Sequence, residues 1–208
     1  MTNITLSKCS DLITQIFLEG AEDVLGADQL RRLVKEITPR GNESEGKYPG
    51  EDSSLTMVDA GPLLWRLESM YGVAGGRGLA VRIGRSAFKY GLRQYGDQAG
   101  FHTAEFRLLP SPRRIAAGLQ VMAQLLGEEC HDVITVTDGD TCWLWQSQRC
   151  PICHDHTSPD PCCYLVAGLL QEFAAWAGGG RFYPVMETAC RASGGPACEF
   201  RIDKKPLD

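Results

Sequence analysis

The sequence has no excess of positive charge and no long hydrophobic run. Its 208 residues carry 21 lysines and arginines against 26 aspartates and glutamates, a formal net charge of −5. Proteins that bind nucleic acids usually present a basic face, so this balance argues against that class. No run of about 18 apolar residues occurs, which predicts that no helix spans a membrane.

The signals of secretion and of nucleotide binding are also missing. Residues 1–20 lack the basic start, the apolar stretch and the small-residue cleavage site of a signal peptide, so the predicted location is the cytoplasm. The glycines of residues 75–78 (GGRG) do not have the G-x-G-x-x-G spacing, and no apolar strand precedes them. A self-sufficient nicotinamide or flavin enzyme is thus disfavoured, and a binding module is favoured.

The first half of the chain has the hydrophobic period of helices. Residues 11–37 carry apolar side chains at helical spacing, with glycines that divide them into two short helices. Further helices are predicted over 63–71, 78–95 and 111–126. Residues 39–54 are polar and rich in glycine and serine, which predicts a loop or linker.

From residue 132 the hydrophobic period changes to two. The segments DVITVT and TCWLWQ flank an Asp-Gly turn signal and predict a hairpin, with Trp143 and Trp145 on one face. An apolar helix over 164–177 and extended segments at 181–187 and 199–202 follow. Helices first and a small antiparallel sheet later predict an α+β fold.

Cysteine is the residue in excess. There are nine, and seven of them fall in the last 67 residues. An odd number without a signal peptide argues against a disulfide framework and favours metal binding. The alternative is that the thiols are buried and act as small hydrophobic groups.

Four residues of the last third have the types and positions of zinc ligands. Cys163 precedes a predicted helix, where the helix dipole favours a thiolate. Glu187 and Cys190 lie near a strand end, and the turn over 191–197 is able to fold Cys198 back beside Cys190. The spacing predicts a tetrahedral zinc site, with buried cysteines and a surface glutamate as the alternative.

A second group lies in the loop R149-C-P-I-C-H-D-H156. Cys150 and Cys153 form a C-x-x-C knuckle with His154 and His156 beside it. The group has four interpretations: a second metal site, a redox pair, alternative ligands for the first zinc, or a plain turn with two buried thiols. Cys162 is predicted to face elsewhere, because adjacent cysteines do not readily share a simple site.

The stretches C163-Y-L-V-A-G168, E187-T-A-C190 and C198-E-F-R-I202 resemble the 4-vinyl reductase (4VR) domain. This family is related to the sensor domains of phenol-responsive XylR-type regulators and is similar to the TRAPP vesicle-transport subunits. The resemblance implies one α+β domain over residues 1–208, with N-terminal helices packed on a small antiparallel sheet. Residues 1–54 would supply the N-terminal helices and the polar linker, and about 130–202 a zinc-containing core.

The resemblance also implies a ligand set and a partner. Carried onto matching positions, the zinc ligands of the phenol sensors are Cys163, Glu187, Cys190 and Cys198. Such a closed four-ligand site is structural rather than catalytic. The family further implies a homodimer through the N-terminal helices.

The function implied by the resemblance is binding of a hydrophobic small molecule, as a carrier or sensor. A (bacterio)chlorophyll tetrapyrrole precursor is one candidate, because the family name comes from that pathway. The alternatives are a 4-vinyl reductase, or its subunit acting with a separate reductase, and a protein-interaction adaptor. The pocket is predicted between helix and sheet, with four aromatic candidates: Trp143, Trp145, Tyr164 and Phe182.

Overall fold

The computed structural model describes residues 9–37 and 60–207. Two helices open the first range, α1 (Asp11–Leu25) and α2 (Ala27–Ile37). The side chain of Ser10 caps α1 by accepting a hydrogen bond from the Ile13 N–H. Gly26, at φ 81°, separates the two helices, as the sequence predicted. The predicted linker over 39–54 lies outside the described residues.

The next helices are α3 (Ala60–Tyr95), α4 (Ala104–Arg107) and α5 (Ser111–Glu129). Gly72 has non-helical angles (φ 75°, ψ 163°) and divides α3. The sequence predicted this division between residues 71 and 78, and the break lies at the start of that interval. The periodicity gave no signal for the single turn of α4.

The sheet contains β1 (Ile134–Asp138), β2 (Cys142–Ser147), β3 (Val185–Ala189) and β4 (Cys198–Asp203), and α6 (Tyr164–Ala177) lies between β2 and β3 in the chain. The strand order is β1-β2-β4-β3, and every neighbouring pair is antiparallel. The fold is α+β, as predicted.

Helices α5 and α6 pack against the sheet, whereas α1 and α2 pack on α3. The sheet residues of the buried layer come in cross-strand pairs, Trp143 with Ile202 and Trp145 with Phe200. All four side chains are at most 1% exposed. The two tryptophans therefore share the buried face of β2, as the alternation predicted.

Two glycines allow α3 and α6 to cross closely. A Cβ atom on Gly84 would collide with the Leu165 carbonyl, and one on Gly168 would collide with the Val81 carbonyl. Both obstacles are backbone atoms, which do not move aside as a flexible side chain does. The crossing therefore depends on glycine at both positions.

Cys9 and Cys130 form a disulfide. The Ser10 N–H donates to the Glu129 carbonyl (2.8 Å), which sets the start of α1 beside the end of α5. This pair corrects the argument against disulfides, because a count of cysteines does not show that the chain returns to Cys9. The other seven cysteines are free. Disulfides are uncommon in the cytoplasm, so the cytoplasmic location stays a prediction.

None of the helices in the described part of the chain combines the length and the hydrophobicity that a membrane span requires.

Candidate functional site

The start of α6 brings three buried thiols into contact. Cys163 caps the helix, Cys190 follows β3, and Cys198 begins β4. Their Sγ atoms form a nearly equilateral triangle, with 3.8 Å between Cys163 and Cys190, 3.8 Å between Cys163 and Cys198, and 3.9 Å between Cys190 and Cys198. The predicted turn folds Cys198 back beside Cys190, through Gly194 at φ 90°.

Glu187 adds a carboxylate to this triangle from β3. Its Oε2 accepts a hydrogen bond from the Cys163 backbone N–H (2.7 Å). Its Oε1 is buried and has no hydrogen-bond partner among the described residues. Burial raises the pKa of Glu187 to about 8, although the Cys163 N–H opposes that shift. An unpaired oxygen in such a place is suited to a cation.

Cys150 and Cys153 lie against the same cluster and do not form a separate site. The Cys150 Sγ is 3.6 Å from that of Cys163, and the Cys153 Sγ is 3.3 Å from that of Cys198. Both side chains are buried. Of the sequence-based interpretations, this arrangement favours additional ligands next to the first site. We call the six buried thiols and the carboxylate the cysteine centre: Cys150, Cys153, Cys162, Cys163, Cys190, Cys198 and Glu187.

The structure places Cys162 in the centre as well. Its Sγ lies 3.8 Å from that of Cys190, the same separation as between Cys163 and Cys190. The prediction that Cys162 faces elsewhere is therefore wrong. The two neighbours reach Cys190 together because they lie in the non-helical segment that enters α6, where successive side chains are not forced apart by helical geometry.

The two candidate histidines have other neighbours. The His156 ring stacks on Trp65 of α3, with 3.7 Å between ring centroids. The His154 Nδ1 lies 3.0 Å from a carboxylate oxygen of Asp155. Within the described residues, neither histidine belongs to a group of side chains that converge as metal ligands. Their part in metal binding stays a prediction.

The thiols share their protons unequally. Hydrogen bonds from neighbouring thiols, Cys153 first, hold the pKa of Cys150 and of Cys190 well below the ordinary value. Hydrogen bonds to neighbouring thiols, Cys150 first, raise the pKa of Cys163 and of Cys198. Thiolate character is thus concentrated at Cys150 and Cys190, and a metal ion would have to displace the protons on the others.

The geometry fits zinc. A Zn–S bond of about 2.3 Å in a tetrahedron puts two sulfur ligands about 3.8 Å apart. The triangle of Cys163, Cys190 and Cys198 has edges of 3.8, 3.8 and 3.9 Å. Glu187 supplies the fourth corner, since its ligand atom lies within 4.8 Å of the three Sγ atoms. Each of the four predicted zinc ligands is therefore in position for one tetrahedral ion.

A second feature lies further along α6. A cavity of about 90 Å³ is enclosed by α1, α3, α5, α6 and the segment after α3, with walls that are almost entirely apolar. Two residues of α6 line it, Leu165 and Leu169. The sequence gave no signal for this cavity, because its walls are ordinary core residues of four helices. Representative lining residues are Ile16, Phe88, Phe101, Met122 and Leu125.

The four aromatic ligand candidates do not line that cavity. Trp143 and Trp145 are buried under the helices that cover the sheet. Tyr164 lies beneath the Arg77 guanidinium, 4.9 Å from the ring centroid, and Phe182 is 43% exposed. The indole N–H of Trp143 is buried without a hydrogen-bond partner in the described part of the chain. The ligand-binding role of the four stays a prediction.

Comparison with known proteins relates the chain to one family and to two kinds of structure. Residues 143–204 match the family model of the vinyl-4-reductase (4VR) domain. The fold is similar to that of the phenol-responsive sensory domain of the transcription activator PoxR, crystallised with phenol. The TM-score is 0.54 at 18% identity, covering 84% of this chain and 89% of that domain.

The fold is also similar to that of H-NOX proteins. An H-NOX protein from S. oneidensis in the Fe(II)NO ligation state gives a TM-score of 0.60 at 12% identity, covering 96% of this chain and 99% of the other. The H-NOX from Shewanella woodyi gives 0.53 at 19% identity, covering 94% of each chain. At these identities the likeness shows a shared fold.

No curated protein shows significant sequence similarity to the chain. The family match includes β2, α6, β3 and β4, and with them Cys163, Glu187, Cys190 and Cys198. These are the residues that carried the resemblance in the sequence. The chain thus contains a 4VR domain over residues 143–204.

Proposed function

We propose that this protein binds a small apolar molecule in the cavity between α1, α3, α5 and α6, and that it acts as a sensor or carrier. Zinc at the cysteine centre would hold the start of α6. One observation carries the proposal: α6 belongs to both features, since Cys163 caps it and Leu165 lines the cavity. A metal that fixes the first turn of α6 thereby fixes one wall of the cavity.

The comparisons support a ligand-binding role. The 4VR match covers the zinc-ligand candidates, and the PoxR domain of similar fold was crystallised with phenol. An apolar cavity inside such a fold is the expected place for an apolar ligand, because nothing in its walls favours water. Tyr95 lines the cavity, but its hydroxyl is hydrogen-bonded to Glu129. It therefore offers little to a polar ligand.

The size of the cavity favours a ligand no larger than one aromatic ring. An apolar cavity of about 150 Å³ is known to admit benzene. The cavity here measures about 90 Å³, and Met122 in its wall is a flexible side chain. A tetrapyrrole is several times larger than one ring. We therefore rank a tetrapyrrole carrier and a 4-vinyl reductase, or its subunit, below a binder of small apolar molecules.

The zinc in this proposal is structural. Cys163, Glu187, Cys190 and Cys198 would supply four ligands and leave no position open for water or substrate. When bound, the zinc ion would supply the positive charge that the buried thiolates and the Glu187 carboxylate need. The chain's own contribution is to bring β3, β4 and the start of α6 together around that charge.

Benzene binding tests the proposed cavity. We expect benzene to raise the melting temperature of the zinc-loaded protein, because a ligand that binds the folded state stabilises it. Leu125→Trp should fill the cavity and abolish the shift, since Leu125 lines it. Leu108→Trp is the matched control, because Leu108 is 82% exposed. An equal shift in both variants, or none in the wild type, would overturn the proposal.

The homodimer is a separate part of the proposal. Met70, Tyr71 and Val73 are exposed apolar side chains next to the break in α3 at Gly72. Apolar residues grouped in this way are typical of interaction surfaces, which also suits the adaptor alternative. Light scattering should report a dimer for the wild type and a monomer for Val73→Asp. A monomeric wild type would contradict the dimer.

A further inference from the structure

The cysteine centre contains two groups of four converging ligands, and the two groups overlap. One consists of Cys150, Cys153, Cys163 and Cys198, and the other of Glu187 with Cys163, Cys190 and Cys198. Within each group all ligand atoms lie within 4.8 Å of one another. Cys163 and Cys198 belong to both, and their Sγ atoms are 3.8 Å apart. Two tetrahedra that share an edge have this arrangement.

We propose that the centre holds two zinc ions bridged by the thiolates of Cys163 and Cys198. This inference rests on the zinc of the proposed function and adds a second ion to it. The first ion would take Glu187 and Cys190 as its outer ligands, and the second would take Cys150 and Cys153. A thiolate sulfur has several lone pairs, so each bridging cysteine is able to bind both ions.

The distances on the second side are compatible with a tetrahedron. Sulfur ligands of one zinc ion lie about 3.8 Å apart. Cys150 and Cys163 are separated by 3.6 Å, and Cys153 and Cys198 by 3.3 Å. The outer ligands reach the shared edge from two different segments, the loop after β2 and the end of β3. The two ions would therefore lie on opposite sides of that edge.

Charge balance also favours two ions. With all ligands ionised, the two groups together carry five thiolates and one carboxylate. One divalent ion offsets two of these six charges, whereas two ions offset four. The thiolates are buried, and buried charge is costly unless it is paired. The alternative of keeping several thiols protonated leaves Cys150 and Cys153 without a role in the centre.

The bridging positions have the surroundings that a doubly shared thiolate needs. Cys163 lies at the N-terminus of α6, where free N–H groups and the helix dipole favour negative charge. The Sγ of Cys198 accepts a hydrogen bond from the Arg191 backbone N–H at 3.5 Å. An iron–sulfur cluster fits less well, because it would require inorganic sulfide between thiols that are already 3.3 to 3.8 Å apart.

The loop that carries the second pair is held on both sides. The carboxylate of Asp132 is buried and accepts hydrogen bonds from the Ser147 hydroxyl and the Arg149 N–H. The stack of His156 on Trp65 fixes the far end against α3. The Ser158 N–H donates to the Ala192 carbonyl (2.9 Å), next to Cys190. Cys150 and Cys153 are thus presented to the centre by a fixed loop.

Metal counting by native mass spectrometry tests the inference on the full chain reconstituted with zinc. We expect two zinc ions per chain in the wild type and one in the double variant Cys150→Ser/Cys153→Ser. Cys142→Ser is the control and should keep two, because Cys142 is not part of either ligand group. One zinc in both the wild type and the double variant would overturn the second ion and leave the proposed structural zinc intact.

Two further outcomes separate this inference from the proposed function. No zinc in the wild type would overturn both. One zinc in the wild type and none in the double variant would overturn the two-ion centre and the ligand set of the proposed zinc together. Iron with inorganic sulfide in the purified protein would likewise overturn both assignments.

Cadmium tests the bridge without any substitution. In protein loaded with cadmium-113, two bridged ions should give two resonances that split each other through the shared sulfurs. Two resonances without mutual splitting would overturn the bridge, because ions with separate ligands have no such coupling path. This measurement does not depend on whether the cysteine variants fold.

Discussion

At its first turn α6 meets a cluster of buried thiols, whereas its next turn faces a cavity with apolar walls. The cysteine centre is held by directional groups, with Sγ atoms 3.3 to 3.9 Å apart and one carboxylate. The cavity is enclosed by side chains that attract one another only weakly and without direction. One end of the helix is therefore fixed and the other is able to adapt.

This difference matches the two tasks in the proposal. A binding wall must keep its position while the cavity accommodates a ligand. The glycine crossing of α6 with α3 and the cysteine centre fix the backbone of α6, while Leu165 and Leu169 keep the side-chain freedom that a ligand requires. Changes at the cysteine centre should therefore affect the whole fold, and changes near the cavity should affect ligand binding first.

The largest effect is expected from loss of a zinc ligand. Cys190→Ser or Cys198→Ser should lower the free energy of unfolding by on the order of 5 kcal/mol or more, because metal binding is coupled to folding. Urea denaturation of the zinc-loaded proteins measures this change. Cys142→Ser should unfold like the wild type. If the Cys190 variant also does so, the structural zinc is contradicted.

A smaller effect is expected at the disulfide on the cavity side. Cys130→Ser should lower the free energy of unfolding by about 2–4 kcal/mol, because the disulfide closes a long loop in the unfolded chain. Its sequence separation is 121 residues. Denaturation with and without a reductant provides the control, since the reduced wild type should match the variant. Equal stability of oxidised wild type and variant would show that the disulfide does not stabilise the fold.

The helix crossing links the two regions. Gly84→Ala should cost about 1–3 kcal/mol, because the added methyl group meets backbone of α6. Gly78→Ala is the matched control in the same helix, since a Cβ atom there meets nothing within 4 Å. Thermal unfolding distinguishes the two. Equal effects at both positions would contradict the close crossing.

The smallest effect is expected at the loop that carries Cys150 and Cys153. His156→Ala removes the stack on Trp65 and should cost about 0.5–1.5 kcal/mol. Leu207→Ala is a suitable control, because Leu207 is 60% exposed. Urea denaturation should show a loss for His156→Ala that exceeds the loss for Leu207→Ala. The reverse order would contradict an anchored loop.

The sequence predicted the cysteine centre better than the cavity for a physical reason. Metal ligands are chemically distinct, and Glu187, Cys190 and Cys198 are close in the chain, so their spacing indicates a site. The proximity of Cys150 to Cys163 depends on how the intervening loop folds, and the spacing left several interpretations open. The position of Cys162 was predicted wrongly for the same reason.

The cavity could not be predicted because its residues look like any other core residues. Ile16 of α1, Phe88 of α3 and Leu125 of α5 are each part of a regular apolar helix face. Only the packing of four helices decides which of these faces leave space between them. Aromatic residues of β2 attracted attention in the sequence, but Trp143 and Trp145 are buried against the sheet and do not line the cavity.

The most direct test of the account is to locate benzene on the zinc-loaded protein by nuclear magnetic resonance. The account predicts nuclear Overhauser effects between benzene and the methyl groups of Leu165 and Leu169, the two residues of α6 that line the cavity. Contacts confined to other parts of the protein, or no contacts at all, would contradict the claim that a metal-held α6 forms the wall of a binding cavity.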